Sequence, residues 1–183
     1  MRPVERSEIP GPEEYEAVRP AFRARIFARK RLRRVHLGSH LTFLFEDHDT
    51  VLYQILEMLR VEGRWDEEAI EHELRTYNEL LGGPGELGCT LLIEIEDPLQ
   101  RDLVLRKWLD LPEHLYARME DGRRVRPSYD PRQVGEDRLS SVQYLKFPVG
   151  GEVPAALGLD KPGLELEIEL SPEVRAALAE DLR

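Results

Sequence analysis

Apolar and polar positions follow two rhythms along this chain, one of about 3.6 residues and one of two, and the switches between them mark the elements. Pro12-Glu13-Glu14 opens a helix, with proline early and acids in the first turn where the dipole favours them. Tyr15, Val18, Phe22 and Ile26 then recur at helical spacing and predict one apolar face, with Pro20 as the place for a kink or a fresh start near Arg19. Residues 1–11 carry no such pattern and are expected to be loose. Residues 12–183 read as one domain, with a weak boundary near 127–135.

Val35-His36-Leu37, a turn at Gly38-Ser39, and Leu41 to Glu46 read as a hairpin whose Leu41, Phe43 and Phe45 point into the core. Asp47 or Asp49 caps a helix from about Thr50 to Glu62. Asp66-Glu67 begins another, stopped after Leu81 by Gly82-Gly83-Pro84-Gly85. Cys89 to Glu96 is a strand, and Asp97-Pro98 opens a helix to about Asp110. Leu115–Met119 and Arg123–Pro127 flank Asp121-Gly122 as a second hairpin. A two-residue loop there mixes apolar and charged side chains on each face. A three-residue loop, Glu120-Asp121-Gly122, gathers Leu115, Ala117, Met119, Val125 and Pro127, which predicts glycine in a left-handed bulge position.

Ser141–Phe147 is a further strand, and Leu164 to Leu170 alternates strictly, one face buried and the other wet. Ser171-Pro172-Glu173 caps a last helix with Val174, Ala177 and Leu178 inward. Such alternation belongs to antiparallel sheets. The predicted class is therefore α+β, a mostly antiparallel sheet built from hairpins and packed against several helices.

Charge changes this picture more than composition does. The chain of 183 residues has a net charge of -10, yet the stretch from Ala17 to Phe45 contains eight basic residues and no acidic one. These are Arg19, Arg23, Arg25, Arg29, Lys30, Arg31, Arg33 and Arg34. The plain expectation is that they pair with the protein's own acidic surface; the alternatives are an anionic partner or nucleic acid. No apolar run approaches a membrane span, no apolar leader stands at the start, and one cysteine, Cys89, excludes an internal disulfide. The expected setting is the cytoplasm.

Few motifs carry chemistry. Gly83-Pro84-Gly85-Glu86-Leu87-Gly88 spells a dinucleotide fingerprint, but a helix precedes it and a strand follows, the reverse of what phosphate binding needs. Cys89 reads as buried and inert. His36, His40 and His48 are weak candidates for converging on a metal. Glu165, Glu167 and Glu169 form an acidic row expected beside Arg118, Arg124 and Arg126. The helix at 50–62 is the most informative element. Apolar residues cover most of it, leaving a thin stripe of Thr50, Gln54 and Glu57, with Arg60 beside Glu57 and Glu46 near its first turn. If that stripe lines a cleft, Glu46 and Glu57 act as general base or metal ligands, with Gln54 orienting and Arg60 binding an anion.

Val35-x-Leu37-Gly38, Thr42-Phe43-x-Phe45-Glu46, Asp49-Thr50, Gln54-Ile55-x-Glu57-Met58-Leu59, Tyr77-Asn78-x-Leu80 and Thr90-Leu91-x-Ile93-Glu94-Ile95 together resemble the signature of an uncharacterised bacterial domain-of-unknown-function family. The loop Gly82-Gly83-Pro84 departs from its pattern. The resemblance implies no activity and no cofactor. It implies a setting, because members are encoded beside rubrerythrin and iron–sulfur oxidoreductases. The leading expectation is a non-catalytic accessory or interaction protein in a redox or peroxide-stress setting, with those neighbours as partners and no membrane. The alternative is an enzyme or metal-binding protein using Glu46, Gln54, Glu57 and Arg60. The third is nucleic-acid binding through the basic helix at 19–34.

Overall fold

A computed structural model describes residues 1–183. The chain is α+β. Helix α1 (Pro12–Arg31) is followed by β1 (Arg34–Leu37), β2 (Leu41–Phe45), α2 (His48–Glu62), α3 (Glu67–Asn78) and β3 (Leu87–Ile93). Then come α4 (Pro98–Lys107), the short α5 (Leu111–His114), β4 (Leu115–Arg118), β5 (Arg124–Val125), β6 (Val142–Phe147), β7 (Ala156–Lys161), β8 (Leu164–Glu169) and α6 (Pro172–Asp181). The strands form two four-stranded antiparallel sheets, ordered β1-β2-β3-β6 and β5-β4-β7-β8.

The inner faces of both sheets meet in one apolar cluster. Leu41, Phe43, Phe45, Cys89, Leu91, Leu145 and Phe147 come from the first sheet, and Leu115, Ala117, Leu157 and Leu159 from the second. Leu105 of α4 and Leu178 of α6 close it. A smaller cluster joins Tyr15 of α1 to Val51, Ile55 and Leu59 of α2 and Ile70 of α3. Those three α2 side chains are fully buried, as their apolar pattern requires. Asp47 is the α2 cap: its carboxylate accepts the Thr50 amide, and Thr50's hydroxyl accepts the Asp47 amide.

The β4–β5 turn takes the three-residue form. Ala117 stands opposite Val125 and Arg118 opposite Arg124, and Gly122 adopts the left-handed φ of 84° that the bulge needs.

Several expectations are corrected. The opening segment holds a short 3-10 turn (Arg6–Glu8) and buries Val4 and Ile9, with Val4 bonded through both backbone groups to Asn78. Helix α1 runs unbroken through Pro20, because proline and the Glu16 carbonyl it deprives both face water. Val18, placed on the inner face by spacing, is 51% exposed. Strand β8 buries neither face well. It is a sheet edge, with Leu164 and Leu166 only partly buried and Ile168 39% exposed. Strand β7, central to the second sheet, has no alternating signature at all.

Candidate functional site

The polar stripe of α2 is half-buried, and its side chains are engaged by groups on neighbouring elements. Helix α1 packs along α2. Its Tyr15 hydroxyl donates to Glu57 Oε1 at 2.7 Å, and Arg19 donates from Nε and Nη2 to the two Glu57 oxygens at 2.7 and 2.8 Å. Arg19 and the Tyr15 hydroxyl therefore hold the Glu57 carboxyl down at about 2, against an ordinary 4.5. Arg60 pairs with Glu16 of α1. Gln54 lies against the Tyr77 hydroxyl on α3. Glu46, buried at the end of β2, accepts the Thr50 hydroxyl at 2.6 Å and the Thr90 hydroxyl at 2.7 Å. Glu46, Gln54, Glu57 and Arg60 are thus divided among separate partners, and the two carboxylates have no partner in common.

The histidines are equally dispersed. His36 bonds the Thr42 hydroxyl, His40 the Glu94 carbonyl, and His48 the Arg2 carbonyl and Glu8. No group of three or more His, Cys, Asp and Glu side chains stands together as a ligand set. Cys89 is buried, and burial together with the neighbouring Glu46 charge pushes its thiol well above the ordinary range.

The basic run divides in an unexpected way. Arg33 is 2% exposed and grips Asp181 of α6 with both Nε and Nη2, at 2.9 and 2.7 Å, while lying 2.9 Å from Asp47. Arg29 also reaches Asp47, and Arg19 holds Glu57. The remaining five cations, Arg23, Arg25, Lys30, Arg31 and Arg34, have no acidic group within 4.0 Å, so the plain expectation of self-pairing fails for them. Three of the five sit instead over aromatic rings: Arg23 over Phe27 at 4.5 Å, Arg25 over Phe22 at 5.0 Å and Lys30 over Tyr53 at 5.5 Å.

This face is also unusually bare. Of the 20 residues of α1 only Tyr15 and Ile26 are buried, and Val18, Phe27 and Leu32 are each close to half exposed. Where α1 meets β1, Phe27, Lys30, Arg31, Arg34 and His36 line a hollow of about 570 Å³. The charge run was visible in the sequence. Which of its members the fold neutralises, and that Tyr53 of α2 joins them, was not.

No helix is long and apolar enough to cross a membrane. No protein of curated function matches the chain. A crystal structure of a "novel protein of unknown function" from Burkholderia pseudomallei K96243 superposes over 100% of both chains, with 32% identity and a TM-score of 0.90. Residues 3–182 match the profile of DUF3501, described as a protein of unknown function. With nearly its whole length matched by that profile, and a full-length structural counterpart of the same shape, this chain belongs to the DUF3501 family.

Proposed function

We propose that this protein is a non-catalytic accessory protein that docks an acidic partner protein on the outer face of α1. One observation carries the reading: Arg23, Arg25, Lys30 and Arg31 of α1 and Arg34 just beyond it lack an internal counter-charge, on a stretch that also leaves Val18, Phe27 and Leu32 close to half exposed. Charge steers and orients such a complex, and the apolar side chains supply area to bury. The non-catalytic part is supported by Glu46 and Glu57, whose oxygens are engaged by internal donors rather than turned to a substrate. The family resemblance supplies the setting, redox or peroxide stress, and the partners to try first, rubrerythrin and iron–sulfur oxidoreductases.

The test is calorimetric titration of the purified chain with each of those proteins, alongside a variant carrying R23E, R25E and R31E. The expected result is a complex with wild type that weakens at least about tenfold in the variant and between roughly 50 and 200 mM salt. Absence of a complex, or indifference to the three reversals, overturns the reading. Tighter binding of a single-stranded oligonucleotide than of any protein replaces it with nucleic-acid recognition.

A further inference from the structure

A second concavity lies on the opposite flank of α2, and it has a different chemistry. In β6, Gln143, Leu145 and Phe147 stand opposite Leu91, Cys89 and Leu87 and are buried. The alternate residues Tyr144 and Lys146 consequently point out of the sheet. Helix α3 covers part of that outer face but ends at Asn78, so Tyr144 remains 44% exposed. The result is a cleft of about 470 Å³ between the end of α3, the outside of β6 and the segment at 128–133, a size within the range of small-molecule sites.

Tyr77, Tyr129 and Tyr144 bring aromatic rings to this cleft from three different parts of the chain, and Leu80 adds an apolar wall. The 128–133 segment is fastened to the strand. Ser128 and Lys146 exchange backbone hydrogen bonds of 2.8 and 2.9 Å, and the Gln133 amide accepts the Tyr144 N–H at 2.5 Å while donating to its carbonyl at 3.0 Å. The cleft is therefore built before any ligand arrives. Its charges are few. Asp130 is satisfied by Arg132, whereas Lys146 has no carboxylate and Glu79 no cation within 4.0 Å.

We propose that this cleft binds a planar aromatic molecule carrying a single anionic group, its ring against the three tyrosines and its anion on the Lys146 ammonium. Glu79 opposes a second negative charge and accepts a ring amino group where the ligand has one. Both a nucleoside monophosphate and an aromatic carboxylate have this chemistry. This site is separate from the α1 face, and neither reading depends on the other.

The experiment is titration calorimetry with three probes: adenosine monophosphate, adenosine and 2-naphthoate. One-to-one binding of at least one anionic probe is expected, with adenosine about tenfold weaker than its monophosphate. Preference for the monophosphate identifies a nucleotide-like ligand, and preference for naphthoate an aromatic acid. Lys146→Gln should remove the advantage of the anionic probes and Lys146→Arg restore it, while Tyr144→Ala weakens all that bind. Both side chains face outward and neither bonds another side chain, so the free variants should stay folded, Lys146→Gln melting close to wild type and Tyr144→Ala, which loses a partly buried ring, somewhat below it. No binding of any probe at about 1 mM, or binding unchanged in Lys146→Gln and Tyr144→Ala, overturns the proposal.

Discussion

The outer face of the second sheet and the outer face of α1 are both crowded with arginine, and they differ in one respect. On the sheet every cation has found an acid. Arg118 pairs with Glu167 and Glu169, Arg124 and Arg126 converge on Asp160, Lys161 reaches Asp110, and His114 lies between Asp110 and Asp160. On α1, Arg23, Arg25, Lys30 and Arg31 have found none, and neither has Arg34 at the start of β1. The reason is geometric. Antiparallel strands set side chains of different segments about 5 Å apart, so an acidic row on one strand meets a basic row two strands away. A solvent-facing helix offers only its own residues three and four positions along, and between Ala17 and Arg31 those hold no acid. Density of charge therefore says little about binding; neutralisation by neighbours says more.

If that contrast is right, removing a charge should harm the fold in proportion to how completely the charge is paired. Arg33 is the extreme case. Arg33→Met leaves Asp47 and Asp181 buried beside one another without their shared cation, and should cost about 3–5 kcal/mol, lowering Tm by roughly 10 °C or more. Burial already pushes the Asp181 carboxyl up despite Arg33, so without the arginine it should take up a proton at a higher pH still. A wild-type Tm in this variant would break the comparison.

Next is the sheet itself. A Cβ added at Gly158 would sit 2.1 Å from Cζ of Tyr116, so Gly158→Ala should cost about 1–3 kcal/mol in denaturant unfolding by lifting the ring off the strand. Combining it with Tyr116→Ala should recover much of that packing loss, a coupling readable in a double-mutant cycle.

Glu57→Gln comes third, at about 1–2 kcal/mol, because Arg19 loses its charge partner while the Tyr15 bond can persist. Its signature is in the pH dependence. The folded carboxyl titrates near 2 rather than 4.5, so the pair contributes fully above about pH 4.5 and its contribution disappears as pH falls towards 2. Acid unfolding followed by circular dichroism should be shallower over that interval in the glutamine variant. The smallest effect belongs to the unpaired face. A variant carrying R23Q, R25Q and R31Q should melt within about 2 °C of wild type, while partner affinity falls. A large loss of Tm there would show that these cations serve the fold, and the contrast would vanish.

Much of this architecture was legible in the residues. The register of the β4–β5 hairpin followed from asking which loop length gathers Leu115, Ala117, Met119 and Val125 on one side. The buried rod of α2 followed from Val51, Ile55 and Leu59. What failed did so for identifiable reasons. Strand β7 escaped notice because it is covered on both sides through Leu159, which erases alternation, and because Gly158 interrupts it. Strand β8 alternates strictly yet sits at an edge, where a period of two reports orientation and not depth. The stripe at Gln54 and Glu57 was correctly narrow, but a pattern along one helix cannot say that Tyr15 and Arg19 will arrive from another to occupy it.

The Tyr116 side chain has a mechanical consequence. Tyr116, Gly158 and Glu167 stand in line across three strands, and the hydroxyl passes over the glycine to reach the far carboxylate at 2.8 Å. An outermost strand normally frays by itself; here, peeling β8 away means breaking a tether anchored two strands inward. Amide protons of β8 and β4 should then exchange with deuterium as one unit, and only removing both links, Tyr116→Phe together with Arg118→Gln, should let β8 open alone.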